Sequence, residues 1–190
     1  MKKALLVIDF INEIVDTNGK LATKGYAGFI AEHNTFTHLN AAIDAFRKAG
    51  NPIIFVRLAF DPAYNNQPKS SPVFGKAHEF GILADGTWSS EINDAVDYRK
   101  DADEVVVKTR VSAFHETGLT DLLRKKGVSE VYIAGVATDL AVEAAARSAH
   151  DNDFIVKVVT DACAAANQQD HEKSLHVLPK FVQLLTSTGL

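Results

Sequence analysis

Ala4-Leu5-Leu6-Val7-Ile8-Asp9 sets five apolar residues in a row against a single acid. A strand with one wet face alternates apolar and polar side chains, so an unbroken run implies burial on both faces, as in a parallel sheet covered by helices on each side. Similar runs recur at Pro52 to Leu58, Glu104 to Val107, Glu130 to Ala134 and Phe154 to Val159, and Phe181 to Leu185 reads as a last, edge strand. Helical periodicity fills the intervals. It covers His38 to Ala49, with Leu39, Ala42, Ile43 and Phe46 on one stripe, then Leu119 to Lys126, the alanine-rich Leu140 to Asp151, and Asp170 to Leu178 before Pro179. Strands alternating with helices pair in parallel through right-handed crossovers. The expected fold is α/β: a three-layer α/β/α sandwich on a mostly parallel, Rossmann-like sheet of about six strands, with residues 1–190 as one domain.

Composition narrows the function classes. At 46% hydrophobic and 23% charged residues the chain is far from the apolar-poor profile of disorder. A net charge of -4 gives no general attraction for nucleic acid or an anionic membrane. The apolar run after Met1-Lys2-Lys3 is cut by Asp9 before a secretory signal would be complete, and no stretch approaches the roughly 20 apolar residues of a membrane span. Cys163 is the only cysteine, which excludes an internal disulfide and fits a reducing compartment. The expectation is a cytoplasmic protein acting on a small molecule, with neither nucleic acid nor membrane as partner.

In open parallel sheets ligands bind beyond the carboxyl ends of the strands. The residues to inspect there are Asp9, Arg57, Lys108 and the segment Gly135 to Asp139. Asp9 and Lys108 read either as a reacting pair or as a salt bridge closing the sheet edge. Gly135-Val136-Ala137-Thr138-Asp139-Leu140-Ala141 runs from strand to helix through small residues, with Thr138 or Asp139 suited to cap the helix, and its N–H groups are suited to a developing oxyanion. Ala59 to Ser90 holds too many prolines and glycines for a regular element and too many aromatics for a linker, so it reads as a lid, a binding loop or a subunit contact. Some of Phe10, Phe60, Tyr64, Trp88 and Phe114 are expected to wall a mostly apolar cavity suited to a small molecule, with core packing as their alternative role.

These segments together resemble the isochorismatase-like superfamily, the cysteine hydrolases, over nearly the whole chain. Leu6-Val7-Ile8-Asp9-Phe10-Ile11-Asn12 is similar to that family's opening strand with its catalytic aspartate, and Val105-Val106-Val107-Lys108-Thr109-Arg110-Val111-Ser112-Ala113-Phe114 to its lysine strand. Gly135 to Asp139 resembles the nucleophile loop, which implies a non-proline cis peptide between Val136 and Ala137 and an oxyanion site formed by that loop. By this resemblance the base is Asp9 and the lysine Lys108. The nucleophilic cysteine of the family's amidohydrolases falls on Ala141.

Alanine has no group that attacks a carbonyl, and three explanations stay open. The thiol has been replaced by design, the chain is a member that has lost or changed the chemistry, or it cleaves a vinyl ether as true isochorismatases do, with the aspartate as acid. Thr138-Asp139 departs from the usual isochorismatase loop, which favours an amidohydrolase scaffold for C–N bonds. A non-catalytic small-molecule-binding protein is the alternative from a different class. Cys163, in Thr160-Asp161-Ala162-Cys163-Ala164, reads as a packed core thiol after the fifth strand. The nicotinamidase zinc motif, Asp-x-His with a later histidine, is absent because Asp61 is followed by Pro62-Ala63, and His78 has no matching neighbour. No metal or cofactor is therefore expected, and a homo-oligomer, with a neighbouring subunit helping to shape the pocket, is.

Overall fold

The computed structural model describes residues 1–190. Six strands form one parallel sheet: β1 (Lys2–Ile8), β2 (Ile53–Leu58), β3 (Glu104–Lys108), β4 (Val128–Val136), β5 (Ile155–Ala164) and β6 (Gln183–Leu185). Their spatial order is β3-β2-β1-β4-β5-β6, with β1 in register against β2 (Ile8 opposite Val56) and β4 (Ile8 opposite Gly135). The apolar runs thus located every strand. Several strands extend past their runs because polar residues are admitted at the ends, where a parallel sheet meets solvent.

The central strand shows why the run has no polar gaps. Leu5 and Val7 pack into one apolar core, and Ala4, Leu6 and Ile8 into a second on the opposite face. The first core is roofed by α3 (Thr35–Lys48), whose buried stripe is Leu39, Ala42, Ile43 and Phe46. The second is roofed by α5 (Leu119–Lys125) through Leu119 and Leu123, and by α6 (Glu143–Asp151) through Ala145, Ala146 and Ala149. Alanine on α6 keeps that helix close to the sheet. The last long helix, α7 (Gln168–Val177), starts at an Asn167 side chain that accepts from the Asp170 amide at 2.9 Å.

Three differences from the sequence expectation matter for the site. The helix expected from Leu140 begins earlier, with a single π turn over Thr138–Val142 closed by the Val142 amide donating to Ala137 O at 3.1 Å, and α6 follows. Neither Thr138 nor Asp139 caps it. Next, β5 continues through Cys163, since its register against β4 slips between the Ile133–Val158 and Gly135–Cys163 pairs. A bulge of this kind admits the polar Thr160-Asp161 without ending the strand. Finally, the connection after β1 contains α1 (Asn12–Val15) and α2 (Tyr26–Glu32), both too short to give a periodic signal. The long Ala59–Ser90 stretch carries one α-helical turn, α4 (Ala77–Phe80), and a 3-10 turn at Trp88–Ser90. No helix of the molecule is long and apolar enough to cross a membrane.

Candidate active site

The chain leaves β1 toward β2 on one side and leaves β4 toward β5 on the other, so the crevice beyond the carboxyl ends of β1 and β4 is the topological switch point of the sheet. Asp9 is the first residue past β1. Its backbone turns out of the strand at φ +57, while its amide still donates to Val56 O at 2.8 Å. Lys108 ends β3 and reaches across β2. Its ammonium donates to Asp9 Oδ2 at 2.6 Å and to Val111 O at 2.8 Å, and the two side chains are 1% and 4% exposed.

That burial makes the pair unusual. Asp9 Oδ1 accepts no hydrogen bond within the protein. Desolvation raises the Asp9 carboxyl above its ordinary pKa, against the lowering pull of the Lys108 charge and hydrogen bond and of the Leu58 backbone. A carboxyl so placed is a ready proton carrier, held by a cation that limits how far it strays from ionisation.

The third component arrives from β4. Gly135 sits where an added Cβ would lie 2.9 Å from Ile8 Cβ and 3.0 Å from Val142 Cγ2, so only glycine lets β1 and the following turn approach this closely. The next peptide, Val136-Ala137, is cis. The π turn then brings Ala141, 4% exposed, onto the same cavity as Asp9, Lys108, Val136 and Ala137. Thr138 points away from that cavity's wall: its hydroxyl pairs with His171 Nδ1 at 2.8 Å, tying the turn to α7. Burial, with His33 nearby, lowers the His171 pKa.

The cavity measures about 230 Å³ and is walled mainly by apolar residues, among them Ile14, Leu58, Val111 and Leu140. No cysteine, serine or threonine lines it. Pro72, Val73 and Phe74 close it from the long loop, so that loop does reach the site.

None of the five aromatic residues expected in its wall is there. Phe10 turns under the sheet into the core, 5.9 Å from the Phe36 ring, because the side chain after Asp9 points to the opposite side. Phe60 and Tyr64 form the loop's own core with Phe74, and the Tyr64 hydroxyl donates to Ile82 O at 2.9 Å. Trp88 is 46% exposed, and its carbonyl accepts from Asn12 Nδ2 at 2.9 Å. Phe114 packs on Phe154 beneath the other face of the sheet. Phe74 does both, packing on Phe60 and lining the cavity beside Pro72 and Val73.

The sequence reading also missed Lys24 and Tyr26, which line the cavity from the connection after β1. Their one available signal was Gly25 between them. Its φ is +119, and a Cβ there would meet Ala166 O at 2.0 Å, so the turn is fixed against the chain leaving β5. Cys163 lies within β5, 1% exposed; its thiol donates to Val159 O at 3.3 Å, and burial pushes its pKa up to about 12. No group of three or more His, Cys, Asp or Glu side chains is gathered as a metal site would require. Asp61, where a zinc motif would begin, accepts from the Ala63 and Asn66 amides of its own turn.

Known proteins resemble this chain over most of its length. The model of the isochorismatase domain matches residues 3–189. Nicotinamidase 3 of Arabidopsis thaliana is 36% identical over 135 residues, covering 70% of this chain and 65% of its own. The ureidoacrylate amidohydrolase of Yersinia enterocolitica is 28% identical over 183 residues, covering 90% of this chain and 79% of its own. Among solved structures, an isochorismatase family protein from Desulfovibrio vulgaris superposes with a TM-score of 0.87 at 25% identity, covering 99% of this chain and 95% of that one.

Proposed function

Because the chain belongs to the isochorismatase family, we propose that it is an amidohydrolase scaffold for a small substrate with an amide-type C–N bond, in which alanine stands at the position of the nucleophile. The observation that carries this reading is the meeting of Asp9, Lys108 and Ala141 on one small, largely apolar cavity, with the first two 2.6 Å apart. Relatives that hydrolyse C–N bonds support it.

With a thiol at position 141 the chemistry closes. The Asp9 carboxylate takes the thiol proton, and the thiolate attacks the carbonyl carbon. Backbone N–H groups around Ala137 and residue 141 hold the oxyanion, and the proton passes to the departing amine. Water, activated by the same carboxylate, then cleaves the acyl thioester. Lys108 keeps Asp9 ionised enough to act as base. As it stands the chain has the base and the oxyanion site but no nucleophile, so it binds small carbonyl compounds with negligible turnover. The reading also includes a cytoplasmic homo-oligomer.

The test is Ala141→Cys. The new thiol is expected to alkylate rapidly with iodoacetamide, more slowly when Asp9→Asn is added, while Cys163 stays protected, and turnover appears on a panel of small amides. A folded Ala141→Cys protein whose new thiol reacts no faster than Cys163 overturns the reading. A second reading rests on the burial of Asp9 beside the cavity with Oδ1 unpartnered, where desolvation raises its pKa as a carboxyl acting as an acid would need. Cleavage of a vinyl ether by the unmodified chain, abolished by Asp9→Asn, would establish it.

A further inference from the structure

The π turn that carries Ala141 closes its backbone on itself, with the Leu140 and Val142 amides donating to Ala137 O at 3.2 and 3.1 Å. Most of its side chains are apolar and can only pack. One side-chain hydrogen bond joins residues 137–142 to another element: the Thr138 hydroxyl lies 2.8 Å from Nδ1 of His171 on α7. Thr138 is fully buried and His171 is 8% exposed, so the hydroxyl has no water to turn to. His171 itself does not line the cavity.

The imidazole is fixed from a second side. Its ring lies 5.0 Å from that of Phe29 on α2, which stacks on His33 at 4.0 Å, and α2 also carries Tyr26 into the cavity wall. His171 therefore sits where the turn, α7 and α2 meet. The titratable groups around this junction are His33 on α2, Asp170 and Glu172 beside His171 on α7, and Asp139 beside Thr138 on the turn. Burial, then His33, lowers the His171 pKa, and Glu172 pulls it partly back, so the ring is neutral at neutral pH. A neutral ring has one nitrogen able to accept from a hydroxyl, whereas both nitrogens of the protonated ring donate.

We propose that His171 is a positioning residue, whose neutral ring accepts the Thr138 hydroxyl at Nδ1 and thereby holds residue 141 toward Asp9, a hold that protonation of the ring releases. What residue 141 does there rests on the amidohydrolase reading; the linkage does not. The site would then read the state of a histidine that touches neither substrate nor base.

The test begins with NMR on the unmodified chain. At neutral pH the imidazole nitrogen signals should show Nε2 protonated and Nδ1 bare. The Ala141 amide and methyl signals should follow the titration of the His171 ring, with a midpoint below 6.5. His171→Asn puts an acceptor oxygen near the place of Nδ1 but does not titrate, so it should keep Ala141 at its parent shift and abolish the step. Thr138→Val should abolish the step as well, while His33→Gln and Asp139→Asn, which remove the other titrating neighbours on α2 and the turn, should leave it. In the Ala141→Cys protein, adding His171→Phe should lower kcat on small amides about tenfold with KM little changed, since a displaced nucleophile weakens the transition state more than binding. His171→Asn should restore it. Should His171→Phe fail to fold, the asparagine and valine arms decide. A proton on Nδ1 at neutral pH, Ala141 signals that ignore the His171 titration, a step that survives Thr138→Val or vanishes in His33→Gln or Asp139→Asn, or a kcat loss that His171→Asn does not restore overturns the proposal. If Ala141 follows His171 while the thiol of Ala141→Cys reacts no faster than Cys163, the linkage is supported and the amidohydrolase reading falls.

Discussion

Two buried carboxylate–lysine pairs lie at opposite ends of the same sheet. At the amino end, Glu130 on β4 and Lys157 on β5 meet at 2.5 Å, and the Tyr132 hydroxyl donates to the same Glu130 oxygen at 3.1 Å. Lys157 is 24% exposed and stands over the Tyr132 ring at 5.1 Å. At the carboxyl end, Asp9 and Lys108 are at 2.6 Å with almost no exposure, and one carboxylate oxygen lacks a partner. Burial works against ionisation in both places. Around Glu130 the hydrogen bonds from Lys157 and Tyr132 outweigh it and lower the pKa, whereas at Asp9 desolvation prevails and raises it. A satisfied pair anchors two strands; a half-satisfied one beside a cavity is poised for a ligand or a proton.

Breaking each pair from the lysine side separates them most widely. Lys108→Met leaves a buried carboxyl with no cation, and its expected cost is about 3–5 kcal/mol in urea unfolding. Lys157→Met leaves Glu130 with the Tyr132 hydroxyl as a donor, for an expected cost of about 1–2 kcal/mol. Equal costs would mean that the two ends do not differ in the way their hydrogen bonding suggests.

Removing both charges at the site sharpens the contrast. In Asp9→Leu/Lys108→Met no buried charge remains to be compensated, and stability is expected to return to within about 1 kcal/mol of the parent or above it. If the double variant is as unstable as Lys108→Met alone, packing at the strand ends, not charge burial, governs this region. Recovery would show that the pair is a burden on folding, and thiol activation in the same background with Ala141→Cys should be lost.

The ends of the sheet were unequally legible in the sequence. Continuous apolar runs located all six strands: in β1, β2 and β4 burial on both faces leaves no alternation to misread, and edge strand β3 keeps its run although Val105 and Val107 are exposed; the residue after each run marked Asp9 and Lys108. Ala141 was placed by the resemblance of Gly135 to Asp139 to a known loop, since nothing in its chemistry signals a site. The cavity wall was not legible. Size and aromaticity singled out Phe60, Tyr64 and Trp88, but Phe60 and Tyr64 pack in the core, Trp88 is exposed, and Pro72 to Phe74 face the cavity instead. Lys24 and Tyr26 lay in a connection whose helices are too short for periodicity to reveal. The contact of Gly25 with Ala166 that positions them spans most of the chain.

The smallest expected effect is in pH dependence, where the two carboxyls should move in opposite senses. Glu130 has a folded-state pKa below the ordinary 4.5, so its contribution to stability is present above that value and is lost as pH falls through the folded-state pKa. Asp9 has a folded-state pKa above 3.8, so its contribution is fully present below 3.8 and is lost as pH rises through the higher folded value. Glu130→Gln should accordingly flatten the acid side of the stability profile, by about 1 kcal/mol or less between pH 5 and pH 3. Carboxyl carbon NMR checks the same point directly. With side-chain carboxyls labelled and Asp9→Asn and Glu130→Gln used for assignment, the Glu130 resonance should titrate below 4.5 and that of Asp9 above 3.8. An Asp9 carboxyl that titrates below 3.8 would show that Lys108 outweighs burial at the site, and the vinyl-ether reading, which needs an acid there, would lose its support.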